Sequence, residues 1–314
     1  MCRVCVVKGD ALLRYSFPPP HPFNSVRAVA FWEELSQSGL GEDEVEPEAA
    51  DDETLLLFHE KAHVDSVRRA SATGHGYLDS GDTPSFEGVF EASKTVVGST
   101  LECVGAVLDG ETDHGFNPVG GLHHARPGSS AGFCVFNDIG VAIEWLRREG
   151  LHRILYVDID VHHGDGIYYP YETDPEVFIF DVHEDGRFLY PGTGSESETG
   201  SGKARGTKRN IPLFPGEGDE RIPEILTKLE GFAKRSAPEF VILQCGADSL
   251  SGDPLGALGF SKNYHSRVAS ALHRIAHDEC GGRFVALGGG GYDPRNCAEA
   301  WTSVVRQMSG SSES

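Results

Sequence analysis

Val157-Asp-Ile-Asp-Val-His-His-Gly-Asp-Gly166 closes an apolar run that begins at Arg153. The run Arg153–Ile159 reads as a strand, and side chains alternate across a strand. Asp158, Asp160 and His162 therefore share one face, while Val157, Ile159 and Val161 share the other. Three polar groups in register at the end of an apolar strand are costly to bury unless they bind something. Two of them could ligate a metal directly, with the third standing behind. Taken singly, each acid reads equally well as a helix cap and each histidine as a core residue. Taken together they have the character of an active site.

Working outward, apolar runs alternate with helical patterns. Strands are predicted at Val4–Val7, Leu55–Phe58, Arg153–Ile159, Val177–Val182, Phe240–Gln244 and Phe284–Leu287. Helices are predicted over 26–36, 62–70, 86–108, 138–149 with Gly150 as its stop, 219–235, 264–277 and 294–307. This alternation implies an α/β fold, one domain over residues 1–308, with a largely parallel sheet covered by helices on both faces. Residues 40–53 read as a solvated surface segment, and 309–314 as a disordered tail. Ligands of such sheets bind beyond the carboxyl ends of the strands.

Other strands also end in reactive groups. Glu239-Phe-Val-Ile-Leu-Gln-Cys-Gly-Ala-Asp248 offers Asp248, a weak signal alone because Gly-x-Asp is a common loop exit. Two carboxylates and one imidazole make an open three-ligand site suited to hydrolysis by Zn²⁺ or a similar divalent ion. Gly120-Gly-Leu-His-His-Ala-Arg-Pro-Gly128 presents His123 and His124, a pair able to work as general base and acid. Leu287-Gly-Gly-Gly-Gly-Tyr-Asp293 lets backbone approach closely and offers Tyr292 as a donor to a developing oxyanion. No Lys-Ser/Thr follows these glycines, so a phosphate-cradling loop is not indicated.

The chain has 27 basic and 48 acidic residues, a net charge of −21. That balance disfavours nucleic acid and anionic membranes and tolerates basic protein substrates, although solubility alone would also explain it. No run approaches the ~20 apolar residues of a membrane span. Seven scattered cysteines lack the spacing of a disulfide framework, and no signal-peptide core follows Met1, which points to the cytoplasm. The lone pair Cys2-x-x-Cys5 lies in the first apolar run and reads as core packing.

These motifs, in this order, resemble the zinc-dependent histone deacetylase family of the arginase/deacetylase fold, nearest to its microbial acetoin-utilization branch. The resemblance covers almost the whole chain. It rests on Gly-Leu-His-His-Ala, Gly-Phe-Cys-Val-Phe-Asn-Asp, Asp-Ile-Asp-Val-His-His-Gly-Asp-Gly, Tyr-Pro-Gly-Thr-Gly, Gly-Ala-Asp and Gly-Gly-Gly-Gly-Tyr. It implies a single zinc on Asp160, His162 and Asp248. It also implies a histidine pair, His123 and His124, backed by Asp158 and Asp165, and Tyr292 as oxyanion donor. Phe133 and Tyr190 would wall a narrow tunnel with Gly132 leaving room between them, and Leu255 would sit at its rim. Asp82 would grip a peptide backbone, Arg27 would line an internal channel, and backbone carbonyls near Asp158, Asp160 and His162 would hold a structural K⁺. The implied activity is removal of acetyl or related acyl groups from lysine side chains of proteins or peptides.

This sequence departs from that pattern at two places. Tyr190 stands where the family commonly has Phe, and Asp181 where animal members carry Ser. No basic pair near His183-Glu-Asp185 would bind inositol phosphate, so assembly with a corepressor is not expected. Two rivals share the fold. An acetylpolyamine amidohydrolase should carry an acid at the rim, where this chain has Leu255. A binuclear manganese ureohydrolase needs an Asp-x-Asp where this chain offers Asp248-Ser-Leu.

Overall fold

The computed structural model describes residues 1–40 and 43–311. Eight strands form one sheet: β1 (Val4–Val7), β2 (Asp43–Val45), β3 (His114–Asn117), β4 (Ile154–Asp158), β5 (Val177–Glu184), β6 (Lys208–Leu213), β7 (Phe240–Gln244) and β8 (Phe284–Leu287). Their order is β2-β1-β3-β8-β7-β4-β5-β6, and every pair is parallel. All carboxyl ends therefore open on one rim. The α/β architecture and parallel sheet expected from the sequence are what the chain adopts.

The helices are α1 (Val26–Gln37), α2 (Asp52–Leu55), α3 (Lys61–Thr73), α4 (Val89–Leu108), α5 (Asp138–Arg148), α6 (Asp165–Tyr168), α7 (Ile222–Ser236), α8 (Asn263–Cys280) and α9 (Pro294–Met308). Alternation along β4 sends Leu155 and Val157 into one apolar cluster with α1, α7, α8 and α9, and Ile154 and Tyr156 into the other with α3, α4 and α5. Both faces are thus covered, which is why the strands read as nearly continuous apolar runs. Local signals set the helix ends. The Asn137 side chain accepts from Gly140 N to start α5, and Gly150 follows it at φ 87°. Asp293 accepts from Arg295 N and Asn296 N ahead of Pro294, which opens α9.

Several expectations need correction. Leu55–Phe58 is not a strand: the Asp51 carboxylate accepts from Thr54 N at 2.7 Å and caps the single turn α2. The segment 40–53 contains β2, which pairs with β1. Strands β3 and β6 escape prediction because their residues carry weak strand signals. In β3, Gly115 packs so closely on α4 that a Cβ there would lie 2.7 Å from Cys103 Cβ. Tertiary packing, not propensity, makes it a strand. In β6 the buried Lys208 ammonium donates to the Asp174 carbonyl (2.8 Å) and the Val177 carbonyl (2.5 Å), and Pro212 is tolerated because the strand is an edge. Of the predicted tail, Ser309 is buried and its carbonyl accepts from Cys2 N at 3.0 Å, while residues 312–314 lie outside the described residues. No described helix is long and apolar enough to cross a membrane.

Candidate metal centre

The loops leaving β4, β7 and β8 meet at the middle of the rim. Asp160 and His162 follow β4, and Asp248 follows β7. His162 Nδ1 lies 3.0 Å from Asp160 Oδ1 and 3.3 Å from Asp248 Oδ2. One ligand atom from each residue falls within 4.8 Å of the other two. The remaining carboxylate oxygens are held by the scaffold. Asp160 Oδ2 accepts from Gln244 Nε2 (2.7 Å) and Gly290 N (2.9 Å), and Asp248 Oδ1 from Val161 N (3.0 Å).

Asp248 Oδ2 is buried and accepts no hydrogen bond among the described residues. Burial and then the charge of Asp160 push the Asp248 carboxyl up to about 7. Burial works against charge on His162, yet the adjoining carboxylates of Asp160 and Asp248 lift it to about 10. The two acids thus call for positive charge at the point where the three ligand atoms converge. A borderline divalent ion such as Zn²⁺ fits that donor set.

Glycines make the approach of backbone to carboxylate feasible. A Cβ at Gly290 would strike Asp248 Oδ2 and lie 2.8 Å from Asp160 Oδ2, and one at Gly246 would strike Asp160. Gly290 and Gly246 are therefore shaped around the acids, while Gly288, Gly289 and Gly291 make room for Pro118, Gln244 and Ala247.

Beside the acids stand the two loop histidines. His123 Nδ1 meets Asp158 Oδ2 at 2.8 Å, and His124 Nδ1 meets Asp165 Oδ1 at 2.7 Å. Their Nε2 atoms lie 3.1 Å apart. Burial opposes charge on both, but the outcomes differ. Asp158 and Asp160 outweigh burial and hold His123 at about 9. For His124, burial and the neighbouring His123 prevail, lowering it to about 4. Asp165 itself is held at about 2: burial is outweighed by His124 and by Arg126, whose Nη2 donates to Asp165 Oδ2 at 2.6 Å.

A cavity of about 250 Å³ opens above these groups, lined by Asp82, Gly132, Phe133, Tyr190, Leu255 and Tyr292 among others. Tyr190 is 44% exposed and sets its ring edge-on to His124, with centroids 5.0 Å apart. Phe133 meets the Tyr292 ring edge-on at 5.9 Å. Gly132, at φ 52°, has a further reason to be glycine: a Cβ would lie 2.5 Å from His124 Cδ2. Asp82 also borders a shallow groove floored by Pro18–Pro22. Arg27 is buried behind Tyr292, donating from Nη1 to the Gly291 carbonyl at 2.9 Å, with its guanidinium 6.0 Å from the Tyr292 ring centroid. Every residue singled out from the sequence for this site thus lies in it or directly behind it.

Sequence reasoning passes over three contributors. Gln244 bridges towards Asp160, and its place as the polar end of an apolar strand is a readable signal. Tyr156 donates to Asp158 Oδ2 at 2.5 Å from inside β4. Asp253 accepts from Leu255 N (2.9 Å) and Tyr292 N (2.6 Å), tying the loop at Leu255 to Tyr292.

With this geometry in hand, the similarities are informative. A family model for the histone deacetylase domain matches residues 21–308. The acetoin utilization protein AcuC of Bacillus subtilis (strain 168) is 38% identical over 307 residues, covering 94% of this chain and 79% of that protein. The protein of the same name from Staphylococcus aureus (strain MRSA252) is 32% identical over 320 residues, covering 98% and 82%. The crystal structure of the HDA15 HD domain superposes with a TM-score of 0.91 at 28% identity, covering 100% of this chain and 90% of that one.

Proposed function

Since the chain belongs to the histone deacetylase family, we propose that it is a zinc-dependent lysine deacylase that hydrolyses Nε-acyl amides of protein or peptide lysines. One observation carries this reading: Asp160, His162 and Asp248 converge beside the His123–His124 pair at the floor of a cavity walled by Phe133 and Tyr190.

Asp160, His162 and Asp248 would hold the ion, which when bound polarises the acyl carbonyl and acidifies the attacking water. His124, neutral at physiological pH, takes the water proton at Nε2, and Asp165 fixes the ring through Nδ1. His123, charged and tied to Asp158, acts through its field. The proton held by His124 then passes to the departing lysine amine. Burial, then Asp248 and Asp160, push the Tyr292 phenol up, so its hydroxyl stays protonated as an oxyanion donor.

Phe133, Tyr190 and Leu255 offer an apolar passage for a lysine side chain, and Asp82 at its mouth offers an acceptor for a peptide N–H. Arg27, with Nη2 buried and no hydrogen-bond partner among the described residues, suits an anionic acyl product leaving through the interior. A structural K⁺ would rest on the carbonyls near Asp158, Asp160 and His162. All seven cysteines are free, which suits a reducing, cytoplasmic setting.

The rivals fit less well. Asp158 and Asp253 are two further acids that feel the charge of Asp160. Asp158 is committed to Asp160 N, Tyr156 and His123, and Asp253 to three backbone N–H groups. Neither is left to bridge a second manganese ion. A cationic polyamine would meet apolar Leu255 at the rim. The deciding assay offers acetyl-lysine peptide and acetylputrescine to purified protein, with and without chelator. Peptide hydrolysis that chelation abolishes and zinc restores is expected. Cleavage of acetylputrescine with the peptide untouched, or activity requiring two manganese ions, would overturn the reading. A series of acetyl, propionyl, butyryl and lactyl peptides then defines the acyl group.

A further inference from the structure

Among the described residues, two groups of side chains could hold a metal ion, and only one lies at the catalytic rim. The other lies at the opposite edge of the sheet, where the strands begin. Cys2 precedes β1, His114 opens β3 directly beside Val4 of β1, and His273 and His277 stand one turn apart near the end of α8. We propose that Cys2, His114, His273 and His277 form a second zinc site, a Cys-His₃ clasp that ties the start of the chain to β3 and α8.

The geometry is close to what that ion needs. Bonds of ~2.0–2.1 Å to nitrogen and ~2.3 Å to sulfur in a tetrahedron set ligand atoms roughly 3.3–3.6 Å apart. Cys2 Sγ and His277 Nε2 are 3.5 Å apart, and one ligand atom from each of the four residues lies within 4.8 Å of the others. The ring centroids are 4.5 Å apart for His273–His277, 5.0 Å for His114–His273 and 5.3 Å for His114–His277. Small ring rotations close the remainder.

A second observation is independent of that spacing. His114 is fully buried, and neither of its ring nitrogens has a hydrogen-bond partner among the described residues; nor does Nδ1 of His273. Buried imidazoles rarely go unbonded on both sides, and an absent ligand is one reason that they do. Exposed His277 leaves an entry path from solvent. Uptake of Zn²⁺ would release the thiol proton of Cys2 to solvent, leaving a thiolate and three neutral imidazoles on the ion, with no electron transferred. The Cys2-x-x-Cys5 motif is thereby divided: Cys5 turns into the core, and Cys2 faces the histidines.

The test uses tag-free full-length chain, stripped by chelation and reloaded with Co²⁺ or Zn²⁺. The catalytic centre contains no sulfur ligand, so a cobalt–thiolate charge-transfer band reports on this site alone. We expect the band in the wild type and its loss in Cys2→Ser. We also expect two zinc ions per chain, falling to one in His273→Ala/His277→Ala with lysine deacylation unchanged. No thiolate band in the wild type, or a zinc count that the double substitution leaves unaltered, would overturn the site.

Discussion

His123 and His124 are neighbours in sequence pushed in opposite directions, because Asp158 and Asp160 outweigh burial at the first while burial and the charge of His123 prevail at the second. In the mechanism we propose, that division gives proton transfer to His124 and the field to His123. Tyr292 completes the set, and Tyr292→Phe should lower kcat by ~10²–10³ with metal content intact, as loss of an oxyanion donor does. Turnover near wild type with stoichiometric metal would remove Tyr292 from the chemistry. Asp82 gives a pH signature. Burial and then the adjacent Asp79 raise its carboxyl to about 6, so its charge is present above that pH and lost as pH falls through it. KM for an acetyl-lysine peptide should therefore rise below about pH 6, and Asp82→Asn should give a high KM with no such step. A step that survives the substitution belongs to another group. The candidate ligands are legible in the sequence because their types stand at the ends of apolar strands, and the histidine pair because it stands in tandem within a glycine-flanked loop. Tyr156 and Asp253 are not, because their partners lie across contacts that no local pattern encodes.

At the scale of elements, the site depends on backbones that come close to carboxylates. Gly290→Ala would press a methyl onto Asp248 and Asp160. The expected result is a folded protein, judged by its circular dichroism, that no longer holds catalytic metal or hydrolyses peptide. The loop at Asp253 works at longer reach by fixing Leu255 and Tyr292 together. Asp253→Ala should strand buried N–H groups, lower stability by about 1–3 kcal/mol and reduce kcat, measurable by urea melts and steady-state kinetics. The helices and core strands are readable from periodicity and capping. Strands β3 and β6 are hidden because a glycine packed on α4 and a buried lysine on backbone carbonyls define them, and both features arise only from tertiary contact.

Across the whole molecule, a bound ion adds stability because the unfolded chain lacks the gathered ligands. At a free zinc concentration about 1,000 times Kd the gain at the catalytic centre is about 4 kcal/mol. Chelation should therefore lower Tm together with activity, and zinc should restore both; an unchanged melting curve would argue against ion binding. The strand order bears on how the molecule is made. β8, last of the eight described strands in sequence, lies between β3 and β7. Until it is made, no strand pairs β2-β1-β3 with β7-β4-β5-β6. A nascent chain leaving the ribosome thus carries all three ligating side chains well before the central strand that unites the two half-sheets, and before Gly290 N can brace Asp160. Maturation of the enzyme therefore waits on synthesis of β8, so termination before Phe284 should leave the two half-sheets without their central strand and yield no hydrolase.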